Sequence, residues 1–284
     1  MNRLTDQLQP FIFQNTQVRG ALVYLDESLQ TILSQHPYPD FIAHFLGEIL
    51  AASALMAQTI KFNGQLVVHL ENQGPLTLLS AKCTNHLEIS GVAQWNTENL
   101  SGNLLHELQN GSLIITLKQE LGSPYQSIVS LKYPSIAACL EAYFQQSEQL
   151  PTKFWLHADK QSAVGLLLQM MPEQSPAKKN DFNLMAAEIS KSVLHAEFRK
   201  LDPTELLKTL FPEQDVELFP PRSVIFKCSC NLERVKRSLQ LMPKAEMKDL
   251  LATHSEITVT CEFCKKNYVL SRTEAEELGS NEDA

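Results

Sequence analysis

Two close pairs of cysteines stand near the end of the chain, Cys228-Ser229-Cys230 and Cys261-Glu262-Phe263-Cys264, separated by 30 residues; together they hold four of its six cysteines. Zinc takes four sulfur ligands at about 2.3 Å, and structural zinc sites commonly use four thiolates. In an extended C-x-C, residues i and i+2 point to the same side, so both sulfurs can reach one ion. In C-x-x-C a tight turn achieves the same convergence. Cys228, Cys230, Cys261 and Cys264 therefore read as the ligands of one metal ion or as the thiols of a redox switch, and spacing alone does not separate the two.

The surrounding sequence must bring the pairs together. Val224-Ile225-Phe226 leads into the first pair, two short helices are expected over 231–241 and 244–253, Ile257 and Val259 alternate into the second pair, and Tyr268-Val269-Leu270 returns as a strand. A domain of 224–284 buries little core and needs a staple. A bound structural zinc supplies about 10–16 kcal/mol of apparent free energy in small peptides, and that energy is folding energy. Upstream, 173–223 reads as an amphipathic helical linker. Its start, Glu173 to Asp181, is polar and reads as a connector. Phe182, Met185, Ile189, Val193 and Ala196 then form an apolar helical stripe. Asp202-Pro203-Thr204-Glu205 marks a second helix start, with an N-cap, a proline at the first helical position and a glutamate at the third. This segment needs a surface to pack on.

Residues 1–172 read as a large mixed domain. Leu29, Ile32 and Leu33 suggest a short helix, and Phe41, Ile42, Phe45, Leu46, Ile49 and Leu50 keep helical spacing into a long core helix. The period then changes to two, with Leu66, Val68 and Leu70, a turn at Glu71-Asn72-Gln73-Gly74-Pro75, and a partner strand from Leu76. Further strands are expected at 86–94, 112–119, 125–131, 153–158 and 163–171, with a helix from Pro134 to about Gln149. Strands in adjacent runs with helices between blocks give an α+β fold.

The bulk properties narrow the function. The chain has 284 residues, 44% hydrophobic and 20% charged, which suits one large and one small domain. A formal net charge of −8 argues against nucleic acid and anionic membranes as partners. Met1 to Asp6 carries no apolar signal-peptide region, and the apolar stretch Phe41 to Phe62 contains His44, Glu48, Gln58 and Lys61, so it reads as a buried helix. The expected compartment is the reducing cytoplasm, where thiols stay free or metal-bound and disulfides tend to be transient. The ten glycines never occur two or four apart, which excludes G-x-G-x-x-G and G-x-S-x-G, and neither a Walker A loop nor H-E-x-x-H is present. No catalytic residue is expected and the chain is read as no enzyme. Cys83 and Cys139 read as small core hydrophobes, and His254 as a surface or capping residue.

For the four cysteines, the residues alone favour a permanent structural zinc knot, because closed four-thiolate sites are usually structural. The sharper reading is a switch. Oxidation removes the thiolate ligands, the metal leaves, the small domain unfolds, and the linker stripe loses its docking site. Exposed apolar surface then binds other apolar chains, which describes a chaperone that oxidation turns on. A nucleic-acid zinc ribbon is disfavoured, since residues 222–284 hold ten basic and ten acidic side chains. A catalytic dithiol oxidoreductase using Cys261 and Cys264 and a passive zinc-stabilised interaction module are the alternatives.

Other motifs bear on the choice. Tyr143-Phe144-Gln145-Gln146-Ser147-Glu148-Gln149-Leu150-Pro151-Thr152 resembles a hallmark of the redox-regulated heat-shock chaperonin family, the thirty-three-kilodalton heat-shock protein. His36-Pro37-Tyr38-Pro39, Lys61-Phe62-Asn63-Gly64, Gly74-Pro75-Leu76, Pro124-Tyr125-Gln126 and Leu168-Gln169-Met170-Met171-Pro172 are similar to other stretches of that family, and the two cysteine pairs to its zinc motif. The resemblance spans nearly the whole chain in order, although 84–111 and 173–200 keep pattern more than identity. It reverses the preference for a passive knot. It implies an ATP-independent holdase of the cytoplasm, inactive when reduced with one zinc on Cys228, Cys230, Cys261 and Cys264. It further implies activation under oxidative stress by disulfides Cys228–Cys230 and Cys261–Cys264 with loss of zinc, the second pair acting as the earlier sensor. The implied partners are unfolding client proteins and a second copy in an oxidised homodimer, with no nucleic acid and no membrane.

Overall fold

The computed structural model describes residues 5–14, 16–72, 74–96, 111–172, 176–187, 189 and 201–280. Met1 to Leu4, Gln73, Val193 and Ala196, on which expectations were placed, lie outside the described residues. The chain divides into two compact units, Met1–Lys227 and Cys228–Ala284.

In the first unit the elements run β1 (Gln7–Phe13), β2 (Val18–Leu25), α1 (Glu27–Leu33), α2 (Asp40–Thr59), β3 (Gly64–Glu71), β4 (Leu76–Thr84), β5 (Glu88–Trp95), β6 (Ser112–Gln119), β7 (Tyr125–Ser130), α3 (Ile136–Tyr143), β8 (Thr152–Ala158) and β9 (Ala163–Met170). There follow α4 (Pro176–Ala187), α5 (Pro203–Leu210), β10 (Val216–Leu218), β11 (Arg222–Ser223) and β12 (Ile225–Phe226). One sheet has the order β10-β1-β2-β9-β8, with β11 also on β1; the other has the order β12-β5-β4-β3-β6-β7. The α+β class read from the sequence is the one observed.

Helix α2 organises this unit. It carries apolar and small side chains on nearly every face, which is the pattern of a helix buried all round. It packs against strands of both sheets, and its Leu46, Ile49, Leu50 and Leu55 are fully buried in the main core beside Leu66, Val68, Val23 and Leu156. By length and composition α2 could cross a membrane, but most of it is buried inside the fold. Close approach is set by Gly47, where an added Cβ would lie 2.4 Å from that of Ala158.

The first sheet is covered on both faces. Along β2, Ala21, Val23 and Leu25 face the α2 core, while Val18, Leu22 and Tyr24 belong to a second apolar cluster. All eight residues of β9 are buried, as a strand between two layers requires. The second layer is the surface that the amphipathic segment needs. Phe182, Met185 and Ile189, then Leu206, Leu207, Leu210 and Phe211, pack on Phe11, Leu22, Leu166 and Leu168. Asp202 caps α5 by accepting from the Thr204 and Glu205 amides at 2.8 and 3.0 Å. One expectation is corrected: 176–181, read as a polar connector, is the first half of α4. Proline there does not break the helix because it opens it, where its missing N–H has no intrahelical partner to lose.

Residues 216–227 strap both sheets. β10 and β11 lie on β1, and β12 runs parallel to β5 with Phe226 opposite Ile89. The Arg222 guanidinium donates to Gln58 Oε1 and to the Asn85 carbonyl, both at 2.7 Å. Lys227 pairs with Glu88 at 2.5 Å.

The second unit holds α6 (Leu232–Gln240), α7 (Lys244–Thr253), β13 (Glu256–Thr260), β14 (Asn267–Ser271) and α8 (Arg272–Ser280). β13 and β14 form an antiparallel hairpin, Glu256 opposite Ser271 and Thr260 opposite Asn267. Its small core is built from Val235, Leu239, Met247, Leu251, Ile257, Tyr268, Leu270 and Ala275.

Candidate metal centre

The first cysteine pair sits on extended backbone just before α6. The Asn231 side chain accepts from the Arg234 amide at 2.9 Å and fixes where the helix starts. Arg234 in turn donates to Ser229 Oγ at 2.6 Å, which anchors the middle residue of the C-x-C. The second pair sits on the loop between β13 and β14. The Lys265 amide donates to the Cys261 carbonyl at 2.8 Å and the Cys261 amide to the Lys266 carbonyl at 2.9 Å. Lys265 adopts a left-handed backbone with φ of 53°, which closes the loop tightly. The C-x-x-C leads into a strand rather than a helix.

These two segments bring all four predicted sulfurs together. Every pair of ligand atoms among Cys228, Cys230, Cys261 and Cys264 lies within 4.8 Å. Two approaches run between the motifs, Cys230 to Cys264 at 3.4 Å and Cys228 to Cys261 at 3.7 Å. Sulfurs on a tetrahedron with 2.3 Å arms stand about 3.8 Å apart, so the donor set and its spacing fit a tetrahedral thiolate-bound ion such as zinc. All four cysteines are half-buried, enough to exclude most solvent while leaving the sulfurs open to a small oxidant.

Tyr268 was read only as an apolar strand residue, yet its hydroxyl donates to Cys230 Sγ at 3.1 Å. The signal was available: a tyrosine on the buried side of a short strand needs a partner for its polar tip. At Cys230 burial pushes the thiol up, but hydrogen bonds from Tyr268, Cys264, Cys228 and Cys261 outweigh it and bring it down to about 7. Burial holds Cys228 well above the ordinary thiol range, and burial also raises Cys264. The bond to Cys230 lifts the Tyr268 hydroxyl to about 12. The Tyr268 hydroxyl thus favours the thiolate of Cys230, and thiolate character governs both metal binding and oxidation.

The remaining candidates fall elsewhere. His254 closes the end of α7, its Nδ1 3.2 Å from the Leu250 carbonyl and 2.8 Å from Thr253 Oγ1. Cys83 and Cys139 are buried in the main core of the first unit. Burial raises Cys83 to about 12 and also raises Cys139, so both are inert small hydrophobes.

Known proteins place this arrangement. The family model described as Hsp33 protein matches residues 6–271. The chain is 40% identical over 273 residues to the 33 kDa chaperonin of Nitrosococcus oceani, covering 96% of this chain and 94% of that protein. It is 38% identical over 282 residues to the 33 kDa chaperonin of Methylobacillus flagellatus, covering 99% and 96%. Its fold is similar to the crystal structure of the 33 kDa chaperonin from Thermotoga maritima, with a TM-score of 0.79 at 23% identity over 96% of this chain and 97% of that one. With the match running from β1 to the end of β14, the chain belongs to the Hsp33 family.

Proposed function

We propose that this chain is a redox-regulated, ATP-independent chaperone of the holdase type and not an enzyme. In this reading it works in the cytoplasm, is inactive while reduced, and holds one zinc ion through Cys228, Cys230, Cys261 and Cys264. Oxidation pairs Cys228 with Cys230 and Cys261 with Cys264, and the active form is a homodimer that holds unfolding clients. The curated relatives are named chaperonins, which supports the chaperone class. The observation that carries the switch is the convergence of four half-buried sulfurs from two short, weakly cored segments.

When bound, the ion ties four thiolates into one site and adds folding energy to a unit that has little of its own. The rest is the work of the residues. Each disulfide forms as two thiols give two protons and two electrons to peroxide, which leaves as two waters. A paired sulfur no longer offers a thiolate, so two disulfides remove the whole donor set. The small core of the second unit then stands alone.

We divide the chain accordingly into a chaperone core (1–172), a linker (173–223) and a four-cysteine sensor (224–284). In the resting state the linker side chains Phe182, Leu207 and Phe211 cover Phe11, Leu22, Leu166 and Leu168. Release of the linker would uncover a sheet face built from large apolar side chains, a surface suited to other unfolding chains. The test follows zinc with a colorimetric chelator while peroxide is added under mild heat, with light scattering of a heated client in parallel. Zinc appearing in solution as disulfides form, with scattering suppressed, is expected. Zinc that stays bound, or leaves without any gain in protection, overturns the reading.

A further inference from the structure

The four outer edges of the two sheets are not treated alike. β10 and β12 are edges of only three and two residues, and short edges offer little to pair with. β8 is longer, but α3 covers it: the Glu141 carboxylate accepts the Phe154 amide at 3.1 Å and the Lys153 ammonium at 2.7 Å. β7, which α3 also approaches, is the exception in its hydrogen bonding. It pairs with β6 on one side, and among the described residues no strand pairs its other side and no side chain accepts one of its amides.

The composition of β7 sharpens this. The eleven residues Leu121 to Leu131 contain no charge, and Pro124 lies ahead of the strand rather than within it, whereas proteins ordinarily guard an exposed edge with lysine or another charge. Ile128 is 62% exposed, Tyr125 47% and Leu121 91%, and Ile128 stands opposite Ile114 on β6. Beside the strand lies the π-helical turn Phe144–Glu148, held there by Ser127 and Ser147 hydroxyls 3.1 Å apart. Gln145 and Gln146 of this turn are exposed. Their amides can donate to or accept from any peptide group, so they read backbone without reading sequence.

We propose that the free edge of β7 captures extended, uncharged segments of unfolding chains by strand addition, in the reduced as well as the oxidised protein. The partner's identity rests on the chaperone reading above. Backbone pairing supplies affinity in such additions, and the pleat supplies shallow pockets for alternate side chains. A second copy of this chain is the weaker occupant. An edge of six residues is roughly 20 Å long, so pairing two such strips about 10 Å wide buries on the order of 400 Å² in all, well short of the ~1,200 Å² that a stable interface buries. A short edge gives weak, rapidly exchanging capture, consistent with a resting protein that meets clients without retaining them.

The test uses the reduced, zinc-loaded full chain and a fluorescently labelled, end-capped decapeptide alternating threonine and valine, read by anisotropy. Saturable binding is expected, weakened at least tenfold by Ile128→Lys, with zinc content and near-ultraviolet dichroism unchanged. Ser130→Lys, on the same exposed face, serves if the first variant misfolds. Absence of saturable binding overturns the proposal, as does equal affinity in a folded variant. A parent that self-associates at these concentrations and becomes monomeric on Ile128→Lys also overturns it, since the edge then pairs with a second copy. A parent that binds the peptide but fails to protect clients when oxidised sinks the chaperone reading and leaves the edge standing; the reverse sinks the edge alone.

Discussion

The two units of this chain are held together by different physics. In Met1–Lys227, α2 is wrapped by both sheets, and the core residues Leu46, Ile49, Leu50, Leu66 and Val68 are wholly shut from water. Among the described residues of Cys228–Ala284, eight side chains are buried, and of these Leu270 and Ala275 are fully closed off. Cys230 and Cys261 pack directly on that small cluster, so the sulfur site and the core of the second unit are one object. The first unit has ample apolar area to fold by burial. The second has a small core, and two of its four clustered sulfurs are part of the packing around it.

Removing a ligand is the most direct way to break that comparison. Cys264→Ser, or a strong chelator acting on the reduced protein, is expected to cost the second unit most of the ~10–16 kcal/mol that a structural zinc contributes. Limited proteolysis should then cut beyond Lys227 and leave a resistant fragment ending near it. A second unit that stays protected after the metal is gone would show that its eight-residue core suffices. The next effect in size lies within the first unit. Phe211 is buried and meets Phe13 edge-on, with centroids 4.9 Å apart. Phe211→Ala is expected to cost about 3–5 kcal/mol, mostly as loosening of the layer over the first sheet. Binding of a hydrophobic dye to the reduced variant reads that loosening directly. Unchanged dye binding with a lowered melting temperature would place the loss in the α2 core instead.

Legibility in the sequence followed the same division. The four cysteines were visible because chemistry fixes their type and spacing, and the structure brings all four together. Strands β3, β4 and β6 were visible because one face is buried and the side chains alternate. β1 and β2 were not. Pro10 sits in the middle of β1, opposite Ala21, and a proline inside an apolar run argues against a strand. β2 is buried on both faces, so alternation is lost. Residues 216–223, read only as part of the helical linker, instead carry β10 and β11, and strands of two or three residues leave no periodic trace in a sequence. Helix α8 was missed as well: Glu274, Glu276 and Glu277 give it an acidic surface, and among its described side chains Ala275 alone is fully buried. Tyr268 shows the limit for the site itself, since its role depends on which strand face meets Cys230.

A subtler cut tests the strap that ends at the boundary between the units. Arg222→Ala removes two hydrogen bonds from a charged donor, to Gln58 and to the Asn85 carbonyl. Such bonds contribute roughly 1–3 kcal/mol. The amides of Val224, Ile225 and Lys227, which donate to Asp6, Leu87 and Ile89, are expected to exchange with deuterium about ten- to a hundredfold faster, while amides of β3 and β9 keep their protection. Equal protection in variant and parent would mean that the backbone pairing of β11 and β12 holds the strap without Arg222.

The smallest perturbation tests the comparison through the thiols themselves. The six cysteines belong to two environments. Cys83 and Cys139 are shut in the main core, and burial pushes Cys83 up to about 12. Near pH 8 a thiol raised this far stays protonated, and alkylation needs the thiolate. The four cysteines of the second unit have no such shelter once the metal is removed, and with their unit unfolded they return to the ordinary thiol range near 8.5. A short pulse of iodoacetamide on chelated, reduced protein should therefore add four labels to the intact mass, and full denaturation should add the remaining two. Fewer than four labels would mean that the second unit keeps its fold without metal. More than four would mean that the loss of the small unit opens the large one, and that the two are a single cooperative structure.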